Sequence, residues 1–244
     1  MRLTRSHVAL PLCCDQEVTL PEESANHLLR VLRLREGDAC ILFNGDGSDY
    51  HARITVAGKR EARALVERAD MLSNESPLRI TLLQGIARGE KMDLILQKAT
   101  ELGVTAIVPV NAERTEVKLD AARTEKRVAH WRNVVVSACE QSGRARVPNV
   151  AAPLGLQEAA QTSDRQARRL TLDPQGEHRL STLTGDVEQG LIVAIGPEGG
   201  WSPRDRATLA DAGFTGLQLG PRILRTETAG LAAIAALQAR FGDL

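Results

Sequence analysis

Aromatic residues are scarce in this chain, and their scarcity limits how it could hold a nucleic acid. Only two Trp, one Tyr and three Phe occur among 244 residues. Platforms on which bases could stack are therefore few, so that backbone or shape contacts are the expected mode. The formal net charge is zero, which also argues against a protein that clings to nucleic acid through bulk charge.

Cysteine and histidine patterns typical of metal sites are missing. The four cysteines, Cys13, Cys14, Cys40 and Cys139, form no C-x-x-C pair and have no histidines at zinc-ligand spacing. Adjacent Cys13 and Cys14 make a poor disulfide, so we expect buried, reduced thiols. The sequence thus predicts no metal and no catalytic cysteine.

Long apolar runs and common phosphate-binding motifs are absent too. No stretch approaches 18 consecutive apolar residues, so we expect no membrane span. The N-terminal apolar run is too short for a secretory signal, which favours a cytoplasmic location. Neither G-x-x-x-x-G-K-[ST] nor G-x-G-x-x-G occurs, which removes the usual nucleotide-binding fingerprints.

Hydrophobic patterns divide the chain into two regions. Residues 1–72 contain a helical pattern with apolar Ala25, Leu28, Leu29 and Leu32, followed by short strands at 39–43, 50–57 and 63–69. Turn residues between the first two strands indicate a hairpin, and the whole region predicts a small β-barrel. A polar linker at 71–77 then leads to alternating strands and helices over 73–244, which predicts a mainly parallel α/β sheet.

The last quarter of the chain contains the predicted binding site. Residues 191–195 are continuously apolar and predict a buried strand, which runs into the glycine-rich sequence GPEGG at 196–200. Ser202 and Asp205 then form a capping-box pattern. A second strand at 216–219 precedes another glycine-bearing loop, after which Thr226 is expected to cap a helix. Two such loops at the carboxyl end of one sheet favour a ligand site, although tight connections without a ligand remain an alternative.

These segments resemble a known family. GPEGGWSP at 196–203 and LGPRILRTETA at 219–229 are similar to the C-terminal signature of the knotted SPOUT methyltransferases. More narrowly, they resemble the RsmE family, which methylates N3 of a uridine in small-subunit ribosomal RNA. Blocks at 88–93, 97–104 and 140–144 are similar to the family's other blocks in the same order, and 113–114 matches loosely.

The resemblance implies an architecture, a cofactor and partners. It implies a SPOUT-type α/β domain with a trefoil knot at 73–244 and a PUA-like RNA-binding barrel at 1–72. The implied cofactor is S-adenosyl-L-methionine, and the implied substrate is 16S rRNA within the small ribosomal subunit. Family members act as homodimers, in which one subunit completes the site of the other.

The resemblance also assigns roles to residues. Arg225 would stabilise negative charge that develops on the uracil oxygens, Glu198 would act as base or orienting group, and Arg88 would hold the substrate. The loops would cup the cofactor with ten residues: Leu172, Gly196, Glu198, Gly200, Leu219, Gly220, Leu224, Arg225, Thr226 and Ala229.

Candidate RNA contacts come from basic residues. Residues 121–146 carry six Lys or Arg against two acids, and this strip includes Arg144. Arg30 and Arg33 are the candidates in the first region, with simple solvation of a helix as the alternative for all three. Two other functions also remain open, namely methylation of a ribose 2′-hydroxyl and a non-catalytic role in assembly.

Overall fold

Two β-sheets organise the chain, one in each of two units. The computed structural model describes residues 3–58, 61–116, 121–185 and 187–244. The first unit comprises Met1–Glu75 with Val136–Val147, and the second comprises Ser76–Val135 with Pro148–Leu244. The domain boundary expected between residues 72 and 73 stays a prediction. No helix of the described ranges is long and apolar enough to cross a membrane.

The first unit contains a five-stranded sheet and a short helix. Its elements are β1 (Arg5–His7), β2 (Glu17–Thr19), α1 (Glu22–Ala25) continued by a π-helical stretch (Asn26–Val31), β3 (Ala39–Phe43), β4 (Ser48–Ala57) and β5 (Ala62–Met71). The strand order is β1-β3-β4-β5-β2, with only the β1–β3 pair parallel. Side chains including Leu28, Leu42, Ile54 and Val66 form its core. The expected hairpin between β3 and β4 is confirmed.

The expectation of buried thiols was wrong for two of the four cysteines. Cys40 and Cys139 are buried, whereas Cys13 and Cys14 are exposed. The latter two lie at an irregular turn before β2, outside the alternating pattern that buries strand side chains.

The segment 136–147 packs within the first unit through buried polar contacts. Arg144 is only 5% exposed and forms an ion pair with Glu75, whose Oε1 accepts a hydrogen bond from Nε at 3.0 Å. The backbone carbonyl of Arg144 accepts a second bond from the Arg5 guanidinium. Nearby, Glu140 accepts a hydrogen bond from the backbone N–H of His7 at 2.9 Å. These residues therefore stabilise the unit from within.

The second unit is an α/β sheet. Its elements are β6 (Ile80–Gly85), α2 (Glu90–Glu101), β7 (Ala106–Asn111), α3 (Ala121–Ser142, from Val136 onward part of the first unit), β8 (Asn149–Val150), β9 (Leu154–Gly155), α4 (Leu156–Thr162), β10 (Arg168–Leu172), β11 (His178–Arg179), β12 (Leu191–Ile195), α5 (Pro203–Asp211), β13 (Thr215–Gln218) and α6 (Thr226–Phe241). The order is β11-β13-β10-β12-β6-β7-β8, with β9 beside β7. Every pairing between the described strands of this sheet is parallel.

This strand order positions the predicted loops. All five residues of β12 are buried, as its apolar sequence predicts for a strand covered on both faces. Because β10 lies between β12 and β13, the carboxyl ends of the three strands are neighbours at one edge. The mainly parallel sheet expected for this region is confirmed, while the trefoil knot stays a prediction from the resemblance.

The two helices that follow the loops begin differently. At α5 the expected capping box is confirmed, because Ser202 Oγ accepts from the Asp205 N–H and Asp205 Oδ2 accepts from the Ser202 N–H, both at 3.0 Å. At α6 the expected cap was wrong. Arg225 is the N-cap residue and Thr226 is already helical. The Thr226 hydroxyl instead donates to a carbonyl of the first loop.

Candidate functional site

A cavity of about 500 Å³ opens at the carboxyl ends of β10, β12 and β13. Its volume is within the range usual for sites that hold small molecules. All ten residues predicted to bind a cofactor line this cavity: Leu172, Gly196, Glu198, Gly200, Leu219, Gly220, Leu224, Arg225, Thr226 and Ala229. The structure therefore brings together residues that lie up to 57 positions apart in the chain, between Leu172 and Ala229.

A second cavity lies at the opposite ends of the strands of the same sheet. It has a volume of about 720 Å³ and is lined by residues at the amino ends of the strands, among them Arg168, His178 and Thr215. None of the ten predicted residues lines it. Open α/β sheets bind ligands at the carboxyl ends of their strands, so the first cavity is the candidate site.

The backbone of the first loop packs closely against the backbone of β6 beside the candidate site. A Cβ atom on Gly85, the last residue of β6, would lie 2.5 Å from the backbone nitrogen of Pro197. Any side chain at position 85 would therefore displace the first loop. Gly200 ends that loop with a φ of +64°, a left-handed conformation that glycine adopts without strain. The glycines thus fix the path of the loop beside the strand.

A buried hydrogen-bond chain connects the loop to α6. The Thr226 hydroxyl donates to the carbonyl of Gly196 at 2.6 Å and accepts from the Gln84 amide at 3.1 Å. The same Gln84 amide also donates to the carbonyl of Gly85 at 2.9 Å. Gln84 is fully buried, and sequence reasoning missed it. Its signal is a polar amide side chain directly after the apolar pair Leu82 and Leu83 in β6.

Glu198 is held in the ionised form by its neighbours. Burial raises the pKa of the Glu198 carboxyl, but hydrogen bonds from the backbone N–H groups of Arg88 and of Glu198 itself lower it, as does the ammonium of Lys91. The net result is a pKa below the ordinary value of 4.5. The Arg88 N–H lies 3.0 Å and Lys91 Nζ lies 3.6 Å from Oε1.

The two arginines predicted to be catalytic occupy different surroundings. Arg225 lines the cavity and is exposed, and its guanidinium has no ion pair or hydrogen bond with any residue of the described ranges. The guanidinium of Arg88 instead forms an ion pair with Glu116, and Arg88 does not line the cavity. The contact that Arg88 makes with the site comes from its backbone N–H.

The cavity also contains charged residues that sequence reasoning did not assign. Lys91, Asp173, Arg206, Arg222 and Glu227 line it. Asp173 and Arg206 form an ion pair with each other. Lys91 and Glu227 lie inside sequence blocks that carry the family resemblance, so that membership in those blocks was an available signal.

The predicted RNA contacts have contrasting exposures. Arg30 and Arg33 are both exposed on the first unit, and Arg33 adopts a left-handed φ of +59°. Arg144 corrects the prediction, since its side chain is buried and ion-paired with Glu75 and so is not presented to a phosphate. Among the described residues, no group of three His, Cys, Asp or Glu side chains could hold a metal ion.

Comparisons with known proteins identify the family. A model described as an RNA methyltransferase domain matches residues 74–238, and one described as an RNA methyltransferase PUA domain matches residues 20–67. The ribosomal RNA small subunit methyltransferase E of Buchnera aphidicola is 31% identical, with 100% of this chain and 98% of the relative covered. The protein of the same name from Bacillus subtilis is 32% identical over 88% of this chain and 87% of its own length.

The chain belongs to the ribosomal RNA small subunit methyltransferase E family. The crystal structure of the family member from Neisseria gonorrhoeae, bound to S-adenosyl methionine, is 42% identical, covers all of both chains and superposes with a TM-score of 0.91. The SPOUT-type α/β fold with a PUA-like N-terminal region, expected from the resemblance, is confirmed for this family member.

Replacing Thr226 by valine tests the buried hydrogen-bond chain. Valine keeps the shape but removes the hydroxyl, which leaves the Gly196 carbonyl without this donor and the Gln84 amide without this acceptor. We expect unfolding to become easier by about 1–3 kcal/mol, measured by urea denaturation. Thr228→Val is the matched control, because Thr228 lies on the same helix with an exposed side chain. Equal losses in the two variants would contradict a special role of the Thr226 hydroxyl.

Proposed function

We propose that this protein transfers a methyl group from S-adenosyl-L-methionine to N3 of a specific uridine in 16S rRNA of the small ribosomal subunit. The observation that carries the proposal is that all ten predicted cofactor residues line the same cavity. Family membership supports the reaction class, since relatives that match the whole chain are named ribosomal RNA small subunit methyltransferase E. The choice of N3 of uridine rests on the resemblance to that family.

The residues around the cavity fit this cofactor. Apolar Leu172, Leu219 and Leu224 offer faces for an adenine ring, while the neighbouring glycines leave main-chain N–H and C=O groups accessible to its edge. The carboxylates of Glu198 and Glu227 lie where a positively charged ligand would be stabilised. When bound, S-adenosylmethionine supplies a methyl group activated by its positively charged sulfur.

The polar residues suggest how the uridine is activated. Uridine N3 carries an imide proton at neutral pH, so it becomes nucleophilic as that proton leaves. The guanidinium of Arg225, which forms no ion pair with a described residue, is suited to stabilise the negative charge that then develops on the uracil oxygens. Glu198, whose pKa is low, is a weak base. Glu198 is therefore better suited to accept a hydrogen bond and orient the uracil ring. The backbone N–H of Arg88 donates a hydrogen bond to the Glu198 carboxylate and holds it in place.

The first unit supplies the proposed RNA contacts outside the cavity. Residues 20–67 match the PUA model of RNA methyltransferases, and Arg30 and Arg33 are exposed within that range. A few exposed arginines would bind phosphates of a structured RNA. Because the net charge of the chain is zero, it would not bind all nucleic acids through bulk charge.

We further propose that the protein acts as a homodimer on the small ribosomal subunit in the cytoplasm. The support for the dimer is the family resemblance, and the location follows from that of the proposed substrate. Analytical ultracentrifugation of the purified protein tests the dimer. We expect a species of twice the 26.4 kDa chain mass at micromolar concentration, and a monomer at all concentrations would contradict the dimer.

Nucleoside mass spectrometry of small-subunit rRNA tests the reaction. We expect 3-methyluridine to disappear from cells that lack this protein, because the enzyme that methylates N3 of that uridine is then absent. The nucleoside should return when the gene is restored. Complementation with the Arg225→Ala variant, which changes an exposed side chain and no backbone of the cavity, should restore less of the nucleoside than the wild-type gene does. If 3-methyluridine stays and a 2′-O-methylated nucleoside disappears, the N3 assignment is wrong.

Substitution of Arg225 by alanine separates catalysis from cofactor binding. We expect kcat to fall by about 100-fold or more, as is typical when a group that stabilises transition-state charge is removed. The affinity for S-adenosylmethionine, measured by calorimetry, should change much less. Arg222→Ala provides the control, since Arg222 is a second exposed arginine of the same loop. Equal losses of kcat and of cofactor affinity in R225A would show that Arg225 only binds the cofactor.

A further inference from the structure

Glu227 in the first turn of α6 has a buried oxygen that accepts no hydrogen bond from a described residue. Its side chain is 15% exposed and lines the cavity, and its Oε2 accepts no hydrogen bond from the described part of the chain. Removing a carboxylate oxygen from water without a partner is costly, so such oxygens in native structures usually have a partner of some kind. The position in the cavity points to a bound ligand as that partner.

Lys91 is the nearest cation, but it is shared and distant. Its Nζ lies 3.7 Å from Oε2 of Glu227 and 3.6 Å from Oε1 of Glu198. Both distances exceed those of a normal N–H···O hydrogen bond. One ammonium between two carboxylates leaves this group of three residues with a net charge of −1. A single additional positive charge would balance it.

The other charged residues of the cavity do not cancel this excess locally. Asp173 and Arg206 pair with each other. Arg222 and Arg225 belong to the loop that follows β13, where both are exposed, and neither forms an ion pair with a described residue. Solvent and salt screen the charges of these exposed arginines, whereas they screen the charge of the buried Glu227 carboxylate much less. The carboxylate therefore still attracts a cation bound beside it.

We propose that Glu227 is the residue that binds the positive charge of S-adenosylmethionine. This inference rests on the function proposed above and names a specificity-determining residue within that site. The cofactor carries two cations: the α-ammonium would donate a hydrogen bond to Oε2, whereas the sulfonium would interact with it electrostatically. A carboxylate in the first turn of a helix also interacts favourably with the helix dipole, so the test must separate ligand binding from helix stability.

Three ligands that differ in positive charge provide this separation. S-adenosylmethionine has both cations, S-adenosylhomocysteine has only the ammonium, and 5′-methylthioadenosine has neither. Calorimetry with Glu227→Gln should show S-adenosylmethionine binding weakened by about tenfold or more, as for the loss of a hydrogen bond to a charged group. Binding of 5′-methylthioadenosine should be unchanged. If S-adenosylhomocysteine also keeps its affinity, the sulfonium is the partner, and if it loses affinity in parallel, the ammonium is.

The controls distinguish failure of this inference from failure of the proposed function. Glu101→Gln removes a carboxylate of α2 that pairs with Lys98 outside the cavity, and it should leave all three affinities unchanged. Equal weakening of all three ligands by Glu227→Gln, or no weakening of any, would overturn the role of Glu227 while leaving the proposed function intact. A wild-type protein that binds none of the three ligands would overturn both.

Discussion

The hydrogen bond from the Thr226 hydroxyl to the Gly196 carbonyl joins the two loops on which the site depends. Parallel pairing of β10 with β12 and β13 brings the loops to one edge of the sheet, but pairing alone does not fix their conformations. The bond anchors the start of α6 to the first loop, and Gln84 holds the same hydroxyl from β6. Because Gly85 leaves no room between β6 and Pro197, the loop is confined from that side as well. The cavity is thus shaped mainly by backbone and is suited to a ligand with a fixed outline.

The positions of individual charges in the cavity matter more in this protein than its net charge. The chain as a whole is neutral, yet the cavity contains both a negative group, in which Lys91 lies between Glu198 and Glu227, and the exposed cation of Arg225. A methyl transfer to uracil requires both signs, since the cofactor is cationic at sulfur and the nucleophile becomes anionic. The lowered pKa of Glu198 makes a strong base unavailable there. In the proposed reaction, stabilising the uracil anion with a cation is then the more effective way to make N3 reactive.

The sequence predicted those features that depend on neighbouring residues. The buried strand β12 and the capping box of Ser202 follow from local composition, whereas the ten cavity residues were implied by the family resemblance. Gln84 and the contacts between Lys91 and Glu227 could not be predicted in this way, because their partners lie more than 100 positions along the chain and meet only through the sheet order. The exposure of Cys13 and Cys14 was missed for a related reason. Apolar character favours burial, but an irregular turn provides no core to bury them.

The block at 140–144 shows why a family motif need not be part of a catalytic site. Glu140 accepts a backbone hydrogen bond from His7, and Arg144 forms a buried ion pair with Glu75, so both side chains are occupied within the first unit. Removing one member of a buried pair leaves an uncompensated charge, which is strongly destabilising. That cost alone is a physical reason to retain Arg144 and Glu75. By contrast, Arg225 has no partner in the described chain, and folding gives no comparable reason to keep it. Burial and pairing therefore separate residues that maintain the fold from those available to a ligand.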